Sequence, residues 1–87
     1  VVASDLRDVV QDGERLLATL PERNEVMVLR RRSFELLRRL HVPGGPSRLT
    51  RAADGSHWLV GMRDGGGYAR IDARSLDVEV RRFALPG

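Results

Sequence analysis

The chain reads as two copies of one unit. Asp12 to Leu37 aligns without a gap on Asp54 to Glu79, at an offset of 42. Asp12-Gly13 falls on Asp54-Gly55, Leu17 on Leu59, and Arg32-Ser33 on Arg74-Ser75. Outside that block the offset becomes 43: Ser4 meets Ser47, Leu6 meets Leu49, Arg38-Arg39 meets Arg81-Arg82, and Pro43-Gly44 meets Pro86-Gly87. Many mismatches are conservative, among them Leu16/Trp58, Leu20/Met62, Leu29/Ile71 and Phe34/Leu76. A tandem repeat restricts the fold to architectures in which like units stack, because one unit cannot bury its apolar faces alone.

The second copy is the easier to read. Asp54-Gly55 lies between apolar stretches and signals a hairpin turn. His57 to Met62 is a short apolar run. Arg63 to Gly67 (RDGGG) is turn chemistry, with glycines free to take positive φ. Tyr68 to Asp72 and Leu76 to Leu85 read as further strands, with Ser47 to Ala53 before them. In the first copy the corresponding strands are Ser4 to Val10, Arg15 to Leu20, Glu25 to Arg30 and Phe34 to Val42. Val26 to Leu29 is apolar on both faces, as in a strand covered on both sides. Val78 and Val80 share one parity while Phe83 and Leu85 share the other, so a β-bulge is expected in the last strand.

A period of 42–43 residues falls in the range of four-stranded propeller blades. GGGYARIDARSLDVEVRRFALPG also resembles the repeat of the streptogramin (virginiamycin B) lyase-type propellers: G-x-I-x-R-I-D, a turn, and a strand ending F-x-L-P. Pro46 to Val60 resembles the preceding half of that repeat, where a DG turn leads into a Trp-containing strand. The first copy is closer to the related YVTN and NHL repeats, with Arg30 standing where the family has the Asp seen at Asp72. The expected fold is therefore all-β: two four-stranded antiparallel propeller blades, residues 1–45 and 46–87, in a β-propeller completed by oligomerisation or by a longer parent chain.

A rival reading makes the first half two helices, since Asp5 to Leu20 and Glu25 to His41 contain helix formers. Gly13 would then sit inside a helix at a cost of about 1 kcal/mol. The aligned second copy carries Gly65-Gly66-Gly67 where such a helix would run, which favours strands.

No apolar run approaches the length of a membrane span. With no initiator Met, the chain reads as cut or processed. All 15 basic residues are Arg, and the formal net charge is +3. The 12 acidic residues are spread among them, so an ordinary solvated surface is favoured over a nucleic-acid interface.

Cysteine is absent, and His41 and His57 stand outside any H-E-x-x-H pattern. Gly65-Gly66-Gly67 leads into a strand, which does not suit a dinucleotide site. No metal, cofactor or catalytic set is expected, and Trp58 reads as core. In a propeller the loops after the second and fourth strands share one face. Those loops are Pro21 to Asn24, Arg63 to Gly66 and His41 to Arg48, and their polar candidates are Arg23, Asn24, Arg48, Arg63 and His41.

The expected function is a non-catalytic propeller module, a scaffold binding a protein or a small ligand. The alternative is the two-blade portion of a streptogramin-lyase-like enzyme, and the resemblance carries over no catalytic residue. Two blades leave an apolar face bare on each side, so partners are expected. They are copies of the chain closing a ring, with a homotrimer first because six-bladed rings are common in the resembled families, or neighbouring blades of a longer chain.

Overall fold

Asp12 pairs with Arg15, so Gly13 and Glu14 alone turn the chain, with Gly13 at φ 63°. This hairpin opens the first of two four-stranded sheets in the computed structural model, which describes residues 6–83. The strands are β1 (Asp8–Asp12), β2 (Arg15–Leu20), β3 (Glu25–Arg30) and β4 (Leu36–His41), then β5 (Pro46–Arg51), β6 (His57–Met62), β7 (Gly67–Asp72) and β8 (Val78–Arg82). Each sheet is an antiparallel meander in chain order, β1-β2-β3-β4 and β5-β6-β7-β8. Among the described residues there is no α-helix, only a 3-10 turn at Pro21–Arg23. The all-β expectation holds, and no helix is long and apolar enough to cross a membrane.

The repeat is visible in the backbone. After β3, Arg30 N donates to Glu35 O at 2.8 Å and Phe34 N to Arg30 O at 2.8 Å. After β7, Asp72 N donates to Asp77 O and Leu76 N to Asp72 O, each at 2.9 Å. Phe34 (φ 60°) and Leu76 (φ 63°) share the left-handed conformation that L-residues rarely adopt. Arg31 N to Glu14 O and Ala73 N to Ser56 O complete the match.

Three details depart from the sequence reading. The first strand lies at Asp8–Asp12, whereas the sequence placed it from Ser4, a residue outside the described ones. The second hairpin is longer: Arg51 pairs with Trp58, and Ala52 N reaches His57 O at 3.0 Å. Val9 therefore corresponds to Leu49, at an offset of 40, and Leu6 does not. The last strand carries no bulge among the described residues; one interrupts β4 in the first copy and another β5, between Pro46 and Arg48. Val28 pairs with Arg38 and Leu29 with Leu36, which leaves Leu37 extra, while β7 and β8 pair regularly. The β4 bulge turns Leu36 to the opposite face from Leu40. Leu85 to Gly87, the expected end of the last strand, lie outside the described residues.

The sheets stack face on face. The front of each sheet is the face of Leu17 in the first and its counterpart Leu59 in the second. The back is the face of Leu16 and its counterpart Trp58. The front of the first sheet meets the back of the second, with Leu17, Val26, Val28, Leu40 and Val42 against Trp58, Val60, Met62, Ala69, Ile71 and Leu76. Trp58 is buried, as expected of a core residue, whereas Leu16 is only half-buried because the described residues place no third sheet behind it.

Polar bonds register the stack. Thr19 Oγ1, fully buried, donates to Ser47 O at 2.9 Å. Asp8 Oδ2 accepts from Leu49 N at 3.0 Å. At the opposite end Asp12 accepts from Trp58 Nε1 at 3.0 Å and from Arg15 at 3.3 Å, and it pairs with Arg51 at 3.4 Å. Arg15 also donates to Ala73 O at 2.6 Å, and the Arg51 guanidinium lies 5.9 Å from the Trp58 ring centroid.

Candidate functional site

Pro21 follows β2 and opens the 3-10 turn; its fixed φ suits a first helical position. The turn ends at Asn24, left-handed at φ 55°, which Asn tolerates better than most residues. Asn24 O accepts from Val42 N at 2.8 Å, and Asn24 Oδ1 accepts from Gly45 N at 3.0 Å. One side chain thus ties the β2–β3 turn to the link between the sheets.

That link is Pro43-Gly44-Gly45-Pro46. Gly44 (φ 99°) and Gly45 (φ 76°) both need the freedom of glycine. A Cβ on Gly44 would lie 2.7 Å from Met62 Sδ, and one on Gly45 3.2 Å from Arg63 Cβ. On the other side, Arg63 N donates to Gly45 O at 2.6 Å and Asp64 N to Gly44 O at 3.3 Å. The three turns therefore converge, and between them lies an open groove of about 490 Å³ lined by Pro21, Asn24, Gly44, Gly45, Arg63 and Asp64.

The charges around the groove are held in place. Arg63 pairs with Glu22 at 3.0 Å and Arg82 with Asp64 at 3.0 Å. Asp64 Oδ1 accepts from Gly66 N at 2.8 Å. That backbone bond first, and the Arg82 guanidinium second, hold the Asp64 carboxyl below its ordinary value. The groove offers guanidinium and amide donors beside carboxylate and carbonyl acceptors, which suits hydrogen-bonded recognition of a polar ligand.

Of the sequence candidates, the structure brings Asn24 and Arg63 into the groove. Arg23 is exposed in the same turn as Asn24 but does not line it. His41 is exposed at the end of β4, opposite Glu25. Arg48, on β5, lines a separate cavity of about 400 Å³ with Arg7, Asp8 and Ser47. Sequence reasoning missed Asp64 and Glu22. The Asp64-Gly65-Gly66 run was a usable signal, because Asp before glycines often bonds its own backbone two residues on. Among the described residues no group of three or more His, Cys, Asp or Glu is placed to hold a metal ion.

No protein-family model and no curated protein matches the chain.

Proposed function

We propose that the two sheets are blades of a β-propeller and that the chain is a non-catalytic binding scaffold. The ligand, a small polar molecule or a protein segment, sits in the groove at the Asn24–Arg63 end. The observation that carries this reading is the convergence of three turns, from both sheets, on one groove held by backbone hydrogen bonds. Binding residues concentrate on loops positioned by a rigid scaffold, and here the scaffold is the paired sheets.

Support for the blade reading comes from the repeat. Two four-stranded meanders stack with like faces in the same order, and their corners share the left-handed Phe34 and Leu76. A ring would be completed by copies of the chain, three copies giving six sheets, or by neighbouring blades of a longer parent chain.

The test is amide-resolved NMR with a library of small polar fragments and short peptides. Shifts are expected to concentrate at 21–24, 44–45 and 63–64, and to weaken in Arg63→Ala. Binders that cluster elsewhere, or that ignore Arg63→Ala, would overturn the groove reading.

A further inference from the structure

We infer that a second copy of this chain docks head-to-tail, seating the back of its first sheet on the front of this chain's second sheet; this rests on the propeller reading above. The molecule already displays the contact once. Inside one chain, the front of the first sheet receives the back of the second.

The repeat shows what each open face lacks. On the front, Leu17 and Val26 are 0% exposed under the second sheet, whereas their counterparts Leu59 and Tyr68 are 36% and 37% exposed. On the back, Leu76 is 9% exposed against the first sheet, whereas its counterpart Phe34 is 68% exposed. Phe34 shares the backbone geometry of Leu76, so its side chain leaves the corner in the same way. Around it, Leu36 is exposed and Leu16, Met27 and Leu29 are half-buried, in the places of Val78, Trp58, Ala69 and Ile71. The open front thus keeps Leu59 and Tyr68 of the surface that accepts such a back one sheet earlier, with exposed Arg70 and Arg81 in the places of Val28 and Leu40. The back that fits it is open at its Phe34 end, whereas Ala18 and Leu20 are already buried.

The open front also has a recess. Where the first sheet projects Thr19, the second has Gly61. A groove of about 410 Å³ lies there, lined by Leu59, Val60, Gly61 and Tyr68 together with Arg48 and Thr50. A docked sheet would fill it with apolar side chains and remove Leu59 from water. The contact joins unlike faces, so it is heterologous, and an open assembly keeps one free front at one end and one free back at the other unless it closes.

Sedimentation velocity on the 87-residue chain at about 10 to 100 μM tests this. The wild type is expected above monomer mass. Leu59→Glu blocks the front and Phe34→Asp blocks the back. Phe34 is exposed, and Asp tolerates its left-handed φ, so that variant keeps its fold. Each variant alone should be a folded monomer by circular dichroism. A mixture should give dimers, because one partner keeps its back and the other its front. A wild type that stays a folded monomer overturns the inference. So does one that is unfolded alone, which would assign the covering sheets to a longer chain. Single variants that assemble like wild type, or mixtures that fail to pair, overturn it too. Fragment shifts at Asn24 and Arg63 in the monomeric variants would keep the groove reading standing if docking fails.

Discussion

Trp58 Nε1 donates to Asp12 Oδ2 at 3.0 Å, joining residues 46 positions apart in the chain. The indole would otherwise bury an unpaired N–H between the sheets, and the carboxylate would face two guanidiniums without its neutral donor. The pair makes the buried end of the stack polar and satisfied at once.

Asp12→Ala removes the acceptor shared by Trp58, Arg15 and Arg51. The expected loss is about 2 to 4 kcal/mol, because a nearly buried group bonded by charged donors is lost and the indole is left unpaired. Urea unfolding followed by circular dichroism at neutral pH measures it. Glu35→Gln, which breaks only the exposed pair with Arg30, should cost less than about 0.5 kcal/mol. Equal effects from the two variants would show that Asp12 does not hold the sheets together.

Asn24 has two separable roles, its left-handed backbone and its Oδ1 bond to Gly45. Asn24→Gly keeps the first and loses the second, with an expected cost of about 1 kcal/mol. Asn24→Ala loses both and should cost about 1 kcal/mol more. The comparison is read from urea midpoints, and an alanine variant as stable as the glycine variant would show that the conformation carries no strain.

Phe34 and Leu76 occupy the same strained corner but differ in exposure. Phe34→Asn should raise stability by about 0.5 to 1 kcal/mol, since Asn accepts the conformation at lower cost. Leu76→Asn should lower it by about 2 kcal/mol or more, since a polar amide replaces a buried apolar side chain. Both are best measured in the Leu59→Glu background, where association does not contribute.

The Asp72 carboxylate accepts from the backbone N–H groups of Ser75 and Arg74, each at 2.8 Å. Those bonds, Ser75 first, hold its folded-state carboxyl below the ordinary 3.8. The unfolded chain therefore takes up the proton first. The stabilisation is whole above the ordinary value and is lost as pH falls through the lower folded one. Asp72→Asn should flatten the decline in urea midpoint below about pH 4. An unchanged acid limb would assign the decline to Asp54 and Asp64, which are lowered by backbone bonds of the same kind.

The strands of this fold were legible because their signals are local. Turn chemistry punctuates apolar runs, and β2 and β3 fall where the sequence puts them. The division into two four-stranded sheets was legible because side-chain identities recur at the corners. Register was not. Matching Asp12-Gly13 to Asp54-Gly55 hides a difference in turn length, which is set by which amides close each loop. The bulge at Leu37 was misassigned because parity in the last strand imitates one. Half of the site was readable as loops at one end of a meander, which places Asn24 and Arg63 together. Glu22 was not, because its role depends on Arg63 brought near by packing, and Asp64 was readable only as a turn residue, its pairing with Arg82 again depending on packing. Asp12 gave no signal beyond a turn, since Trp58 and Arg51 reach it from the other copy.

Pro43-Gly44-Gly45-Pro46 has the composition of a loose linker, yet its backbone is bonded to both sheets. Asn24 holds it from the first, Arg63 and Asp64 from the second. Ordering two glycines costs more entropy than ordering any other pair, and neither sheet alone supplies all the bonds that offset it. Each half therefore needs the other to be folded before the link can settle. The consequence is cooperativity: two visibly repeated units should melt in one transition, with the halves losing their structure together.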